Sequence, residues 1–231
     1  MDKSAGRTGS RSQRTSKAKP RQRNLLKRAF YHTVRLSSRL LSVSIFELRC
    51  YGRENTEVEG GAMILSSHQS NFDPVLIGVT FNEPLNYLAR RTLFKNRIFG
   101  TIISLLDAIE LDRDRSGLAG LKETIQRLRQ GQKVLVFPEG TRTSDGEIAP
   151  LKPGFLAVAR RSGVPLIPVA ITGAYEALPR GSRCPVRYPL RVAVGPAIRA
   201  DEFANLDDQA MLDLVKSRLD SCYRQAQESR H

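Results

Sequence analysis

The chain has 231 residues, 40% of them apolar, and a net charge of +14, which points to one globular domain with a basic appendage. The charge is uneven: residues 1–40 hold twelve of the 37 basic residues and one of the 23 acidic ones, leaving only +3 on the remainder. An anionic partner, lipid headgroup or nucleic acid, is therefore met mainly by the N-terminus. Cys50, Cys184 and Cys222 are widely separated, so neither a disulfide framework nor a zinc site is expected, and a reducing compartment fits.

Residues 1–23 contain no Leu, Ile, Val, Phe or Tyr. They cannot bury enough surface to offset ordering and are expected to be a disordered basic tail, with no apolar segment of the kind a secretory signal needs. Residues 24–48 read as a basic amphipathic helix, with Leu26, Phe30, Val34, Leu41, Ile45 and Leu48 near one face. Such a helix suits a membrane surface, and equally a seat on its own domain. No stretch approaches the length needed to cross a bilayer.

From residue 49 to 231 the chain reads as one domain. Strands are predicted at 62–66, 85–89, 108–111, 133–137, 166–171 and 190–194. Helices are predicted to open at Pro74 and to span 93–106, 117–130, 154–162 and 208–225. The alternation predicts an α/β fold, a mixed, mostly parallel sheet flanked by helices.

His68 follows the apolar run 62–65 and stands five residues before Asp73. An imidazole at the end of a buried strand, with a carboxylate able to fold back on it, has the parts of a general-base pair. Asp73-Pro74 also fits an ordinary helix start with Asp73 as N-cap. A second cluster, Phe137-Pro138-Glu139-Gly140-Thr141-Arg142, continues an apolar strand into a carboxylate, a permissive glycine and a guanidinium. A sheet's C-terminal edge is where α/β proteins bind ligands, and Arg142 suits a phosphate.

These residues resemble the HX4D and FPEGTR motifs of the PlsC-like glycerolipid acyltransferases. Residues 108–113, ending in Arg113, look like that family's second motif, and residues 163–169 like its fourth. The resemblance implies a glycerol-3-phosphate acyltransferase-like fold and transfer of a fatty acyl group from acyl-CoA or acyl-carrier protein to a lysophospholipid hydroxyl. The acceptor it implies first is 1-acylglycerol 3-phosphate. His68 would act as general base and Asp73 would orient it. Glu139, Gly140, Thr141 and Arg142 would shape the acceptor site, Arg113 and Arg142 would meet its phosphate, and Lys152 would assist. Backbone N–H groups of the 69–72 turn would serve the developing oxyanion. Ser67 stands where the family's first motif often begins with Asn. No cofactor or metal is implied. The expected location is cytoplasmic, peripheral on the cytoplasmic face of a membrane, with the basic N-terminus on anionic lipid.

Rival classes fit less well. A Gly-x-Ser-x-Gly elbow and an HExxH motif are both absent, against a serine hydrolase or a metalloenzyme. The non-enzymatic rival is a basic surface-binding protein, but the tail has no aromatics to stack on bases, so no specific nucleic acid is expected.

Overall fold

The computed structural model describes residues 25–90, 109–111, 118–182 and 184–229. The basic tail, the helix predicted at 93–106 and Arg113 lie outside the described residues. Seven strands are described: β1 (Arg49–Tyr51), β2 (Ala62–Ser66), β3 (Leu85–Arg90), β4 (Ile109–Leu111), β5 (Lys133–Val136), β6 (Leu166–Thr172) and β7 (Arg191–Val194). The helices are α1 (Leu25–Phe46), α2 (Asp73–Thr80), α3 (Leu118–Arg129), α4 (Leu156–Ser162), the single turns α5 (Ala174–Ala177) and α6 (Ala200–Phe203), and α7 (Asp208–Glu228).

The strands form one sheet in the order β1-β7-β6-β2-β5-β3-β4, in which β6 and β7 pair antiparallel and every other neighbour is parallel. The predicted mixed, mostly parallel sheet is observed. All five residues of β2 are buried. Its side chains divide by the period of two: Ala62 and Ile64 pack with α2 on one face, Met63 and Leu65 with α4 and α7 on the other. A strand covered on both faces must be apolar throughout, which is why this run shows no polar alternation.

Helix α7 starts cleanly, because the Asp207 carboxylate accepts from the Ala210 N–H at 2.8 Å. Its predicted stripe is inward, with Met211, Val215, Leu219 and Cys222 buried and Leu214 packed beside them.

Helix α1 differs from expectation. It lies antiparallel to α2, with the Phe46 ring edge-on to Phe72 at 5.5 Å at one end and Arg35 donating to the Asn82 carbonyl at the other. The face turned inward carries Tyr31, 3% exposed, and Ser42, whereas Leu36, Leu40, Leu41, Val43 and Ile45 are exposed. Apolar residues encircle the second half of α1, so periodicity does not select a face, and the contact with α2 does. Strand β1 was also absent from the sequence reading. Three residues of mixed polarity carry no alternation to detect, and the segment is extended because β7 supplies its ladder.

The arrangement fixes where chemistry can sit. Leu65 pairs with Val136 across two parallel strands, so the segments after β2 and β5 leave the sheet side by side at its C-terminal edge. Leu65→Ala, in the strand that delivers His68, should cost about 2–5 kcal/mol in denaturant unfolding. The exposed Leu36→Ala should change it by no more than about 0.5 kcal/mol.

Candidate active site

His68 lies two residues beyond β2, and its Nδ1 is 2.8 Å from Oδ2 of Asp73. The same oxygen accepts the N–H groups of Gln69 at 2.6 Å and Ser70 at 2.8 Å. Asp73 opens α2 without capping it: the residue before the helix is Phe72, which makes no side-chain cap, and the aspartate reaches backward over the preceding turn. The N-cap role expected for Asp73 is thus replaced by a turn folded around its carboxylate. Two backbone donors already occupy Oδ2, so the histidine joins as a third, Nδ1–H toward the carboxylate. Nε2 is then the ring nitrogen with no bond to Asp73.

Asp73 is wholly buried. Burial pushes its carboxyl up, and the bonds from His68, Ser70 and Gln69 pull the other way. Charge-assisted bonds of this number are what a buried carboxylate needs to remain ionised. Its second oxygen, Oδ1, has no hydrogen-bond partner among the described residues. On its other side the imidazole stacks on the Phe137 ring, centroids 3.9 Å apart and planes 17° apart. The first residue of the Phe137–Arg142 segment therefore sets the plane of the histidine that follows β2.

Glu139 is buried and faces the protein. Its Oε1 accepts the His68 N–H at 2.7 Å and its Oε2 the Ala149 N–H at 2.9 Å. The Thr143 N–H closes the same junction onto the His68 carbonyl at 2.8 Å. Both Glu139 oxygens are thus occupied by main-chain donors, one of them on His68 itself. Burial pushes its carboxyl up to about 7, against the pull of the two N–H donors.

Gly140 has φ +70°, and a Cβ there would stand 3.1 Å from Lys152 Cδ and 3.3 Å from its Nζ. Glycine lets the exposed Lys152 side chain lie across the loop, held from below by the Lys152 N–H bonded to the Pro138 carbonyl at 2.9 Å. Thr141 is exposed. Arg142 is half-buried and donates to no group among the described residues. Lys152 and Arg142 are thus both brought to the loop that adjoins His68.

The oxyanion expectation narrows. Gln69 and Ser70 N–H groups are consumed by Asp73, and Phe72 N–H is directed at Ser70 Oγ at 3.3 Å. Asn71 N–H is the one in this turn with no acceptor among the described residues.

Two contributors escaped the sequence reading. Gln69 donates to the Gly146 carbonyl and accepts from the Tyr175 N–H at 3.3 Å, and Ser70 Oγ donates to the Leu178 carbonyl at 2.9 Å. Both are buried polar residues inside the HX4D spacer, and their presence there in place of apolar residues is the available signal.

Glu139 makes the fold pH-dependent in a stated direction. A native carboxyl held near 7, above its ordinary 4.5, binds protons that the unfolded chain releases, so it adds stability below the unfolded value and loses it as pH rises through 7. The loss should reach about 3 kcal/mol between those limits, at about 1.4 kcal/mol per unit. Denaturant unfolding at pH 5 and pH 8 should show this slope in the native sequence and not in Glu139→Gln.

Comparison with known proteins agrees with this geometry. Residues 47–172 match the family model described as Acyltransferase. The chain is 28% identical over 173 residues to a 1-acyl-sn-glycerol-3-phosphate acyltransferase of Bacillus subtilis, covering 74% of this chain and 84% of that protein. It is 34% identical over 160 residues to the enzyme of the same description from Pseudomonas aeruginosa, covering 68% of this chain and 60% of that one. The crystal structure of the 1-acyl-sn-glycerophosphate acyltransferase PlsC from Thermotoga maritima superposes with a TM-score of 0.75 over 90% of this chain and 83% of that one, at 23% identity, a likeness of fold. The match spans both motif loops and the sheet that holds them together, and the chain belongs to the PlsC-like acyltransferase family.

Proposed function

We propose that the chain moves a fatty acyl group from an acyl thioester, acyl-CoA or acyl-carrier protein, to the free hydroxyl of 1-acylglycerol 3-phosphate, giving phosphatidic acid. The observation that carries this reading is the 2.8 Å contact of His68 Nδ1 with the buried Asp73, which leaves Nε2 as the base. In the proposed step Nε2 takes the acceptor's hydroxyl proton while the alkoxide oxygen attacks the thioester carbonyl. An O–C bond forms, the C–S bond breaks, and the imidazolium returns the proton to the departing thiolate. Asp73 stabilises the imidazolium throughout, and the Phe137 face lies against it at cation–π distance. No cofactor enters the chemistry.

Arg142 is assigned to the acceptor's phosphate, since it is a half-buried guanidinium with no protein acceptor among the described residues. Arg113, from the second motif, and Lys152 are assigned to the same charge. Support for the acceptor comes from the names of the bacterial relatives, both 1-acyl-sn-glycerol-3-phosphate acyltransferases. The substrate is amphipathic, and Val75, two residues past Asp73, is exposed on α2. Among the described residues no helix is long and apolar enough to cross a membrane. Access is assigned to a peripheral position on the cytoplasmic face of an anionic membrane, with the basic N-terminus contributing about 1 kcal/mol per Lys or Arg at the surface.

Three outcomes follow. His68→Ala should lower thiol release from an acyl thioester in the presence of lysophosphatidic acid by about 10²–10⁴-fold, and unchanged release would end the mechanism. Arg142→Ala should raise KM for lysophosphatidic acid by roughly 10–100-fold, the size of one lost charge-assisted contact, and much less for monoacylglycerol. Removing residues 1–23 should weaken binding to anionic vesicles, with the difference shrinking as salt rises.

A further inference from the structure

A second cationic site stands apart from the acyl-transfer loops. Arg35 of α1 donates to both the carbonyl and the side-chain oxygen of Asn82, just beyond the end of α2, and Arg53 donates to the same side-chain oxygen at 2.9 Å. Two guanidinium groups thus converge on one neutral amide. Arg39 belongs to the group as well: it stands four residues after Arg35 on α1, one helical turn along the same side, and is exposed. None of the three arginines has a carboxylate partner among the described residues, and the neighbouring Glu83 is taken by Lys133 at 2.8 Å.

Like charges gathered without a counter-charge repel, and the arrangement is relieved when an anion is shared among them. The chemistry beside them names the kind of anion. Arg35 and Arg39 alternate along α1 with Leu36 and Leu40, and the helical period places Val43 with those two leucines on one stripe. All three are exposed, Leu36 and Leu40 each at 60%. A cationic cluster flanked by an open aliphatic stripe complements a molecule with a phosphate at one end and hydrocarbon at the other. The cluster sits at the far end of α2 from Asp73. From Phe46, which meets the catalytic turn, back to Arg35 is eleven residues, about 16 Å of helix.

Resting on the reading that the chain works at a lipid surface, we infer that Arg35, Arg39 and Arg53 form a binding site for the phosphate of an anionic phospholipid of the bilayer, separate from the acceptor site at Arg142, with Leu36, Leu40 and Val43 seated among its acyl chains.

The test is flotation of the full-length protein with phosphatidylcholine vesicles, with and without phosphatidylglycerol, at physiological salt. Arg35→Gln with Arg53→Gln should weaken binding to the phosphatidylglycerol vesicles roughly tenfold or more, while Lys122→Gln with Arg224→Gln, the same charge change on exposed positions elsewhere, should weaken it by less than about threefold. The exposed Arg39→Glu gives the same loss with no buried contact disturbed. Leu36→Ser with Leu40→Ser should lower binding to both vesicle types. Turnover of detergent-dispersed substrate should stay at the native level in every variant, which reads the acyl-transfer assignment independently of vesicle binding. Equal losses in the two double-glutamine variants would reduce the site to diffuse charge and overturn it. So would unchanged flotation, or a loss confined to turnover with an acidic carrier-protein donor.

Discussion

One carboxylate oxygen organises the catalytic end of this molecule. Oδ2 of Asp73, buried away from solvent, accepts the Gln69 and Ser70 N–H groups and the His68 ring. The turn between β2 and α2 is therefore wrapped around a buried carboxyl group. A buried carboxyl group leans heavily on its hydrogen bonds, so the same contacts that make it tenable also fix the direction of the imidazole. Orientation of the imidazole and stability of the turn rest on one set of bonds.

The Phe137–Arg142 segment completes this frame from the neighbouring parallel strand. Glu139 spends both oxygens on main-chain donors, one of them His68 itself, and Phe137 closes the imidazole from the side. Arg142, three residues further on, donates to no group among the described residues. A single hexapeptide thus divides its charges by burial: the acidic group goes inward where two N–H donors await it, and the basic group goes outward. The positive φ of Gly140 lies between them and lets the chain reverse its exposure over so short a distance.

Helix α1 extends the same logic to the surface. It is held to the body by Tyr31, Ser42 and Phe46, and by guanidinium contacts at the end of α2, while its aliphatic stripe stays open. An exposed apolar helix is thus packed directly against the helix that carries Asp73.

The elements legible from sequence are those whose cause is local. Strands β2, β5 and β6 announce themselves because burial on both faces demands unbroken apolar runs, α7 because one buried stripe demands a helical period, and the His68 and Asp73 pair because a base and its partner lie five residues apart on a single turn. What the tertiary structure alone decided are outcomes that depend on which distant groups arrive. Asp73 turned back onto the turn's N–H groups when it had equal chemical claim to cap its helix, and Glu139 turned inward because β2 and β5 leave the sheet side by side and present the His68 N–H to it. The inward face of α1 and the existence of β1 were likewise chosen by α2 and β7, since neither segment's own pattern prefers one solution. Residue types state what chemistry is available within a few positions of chain; only the packing of strands far apart in sequence determines which donor each charge meets.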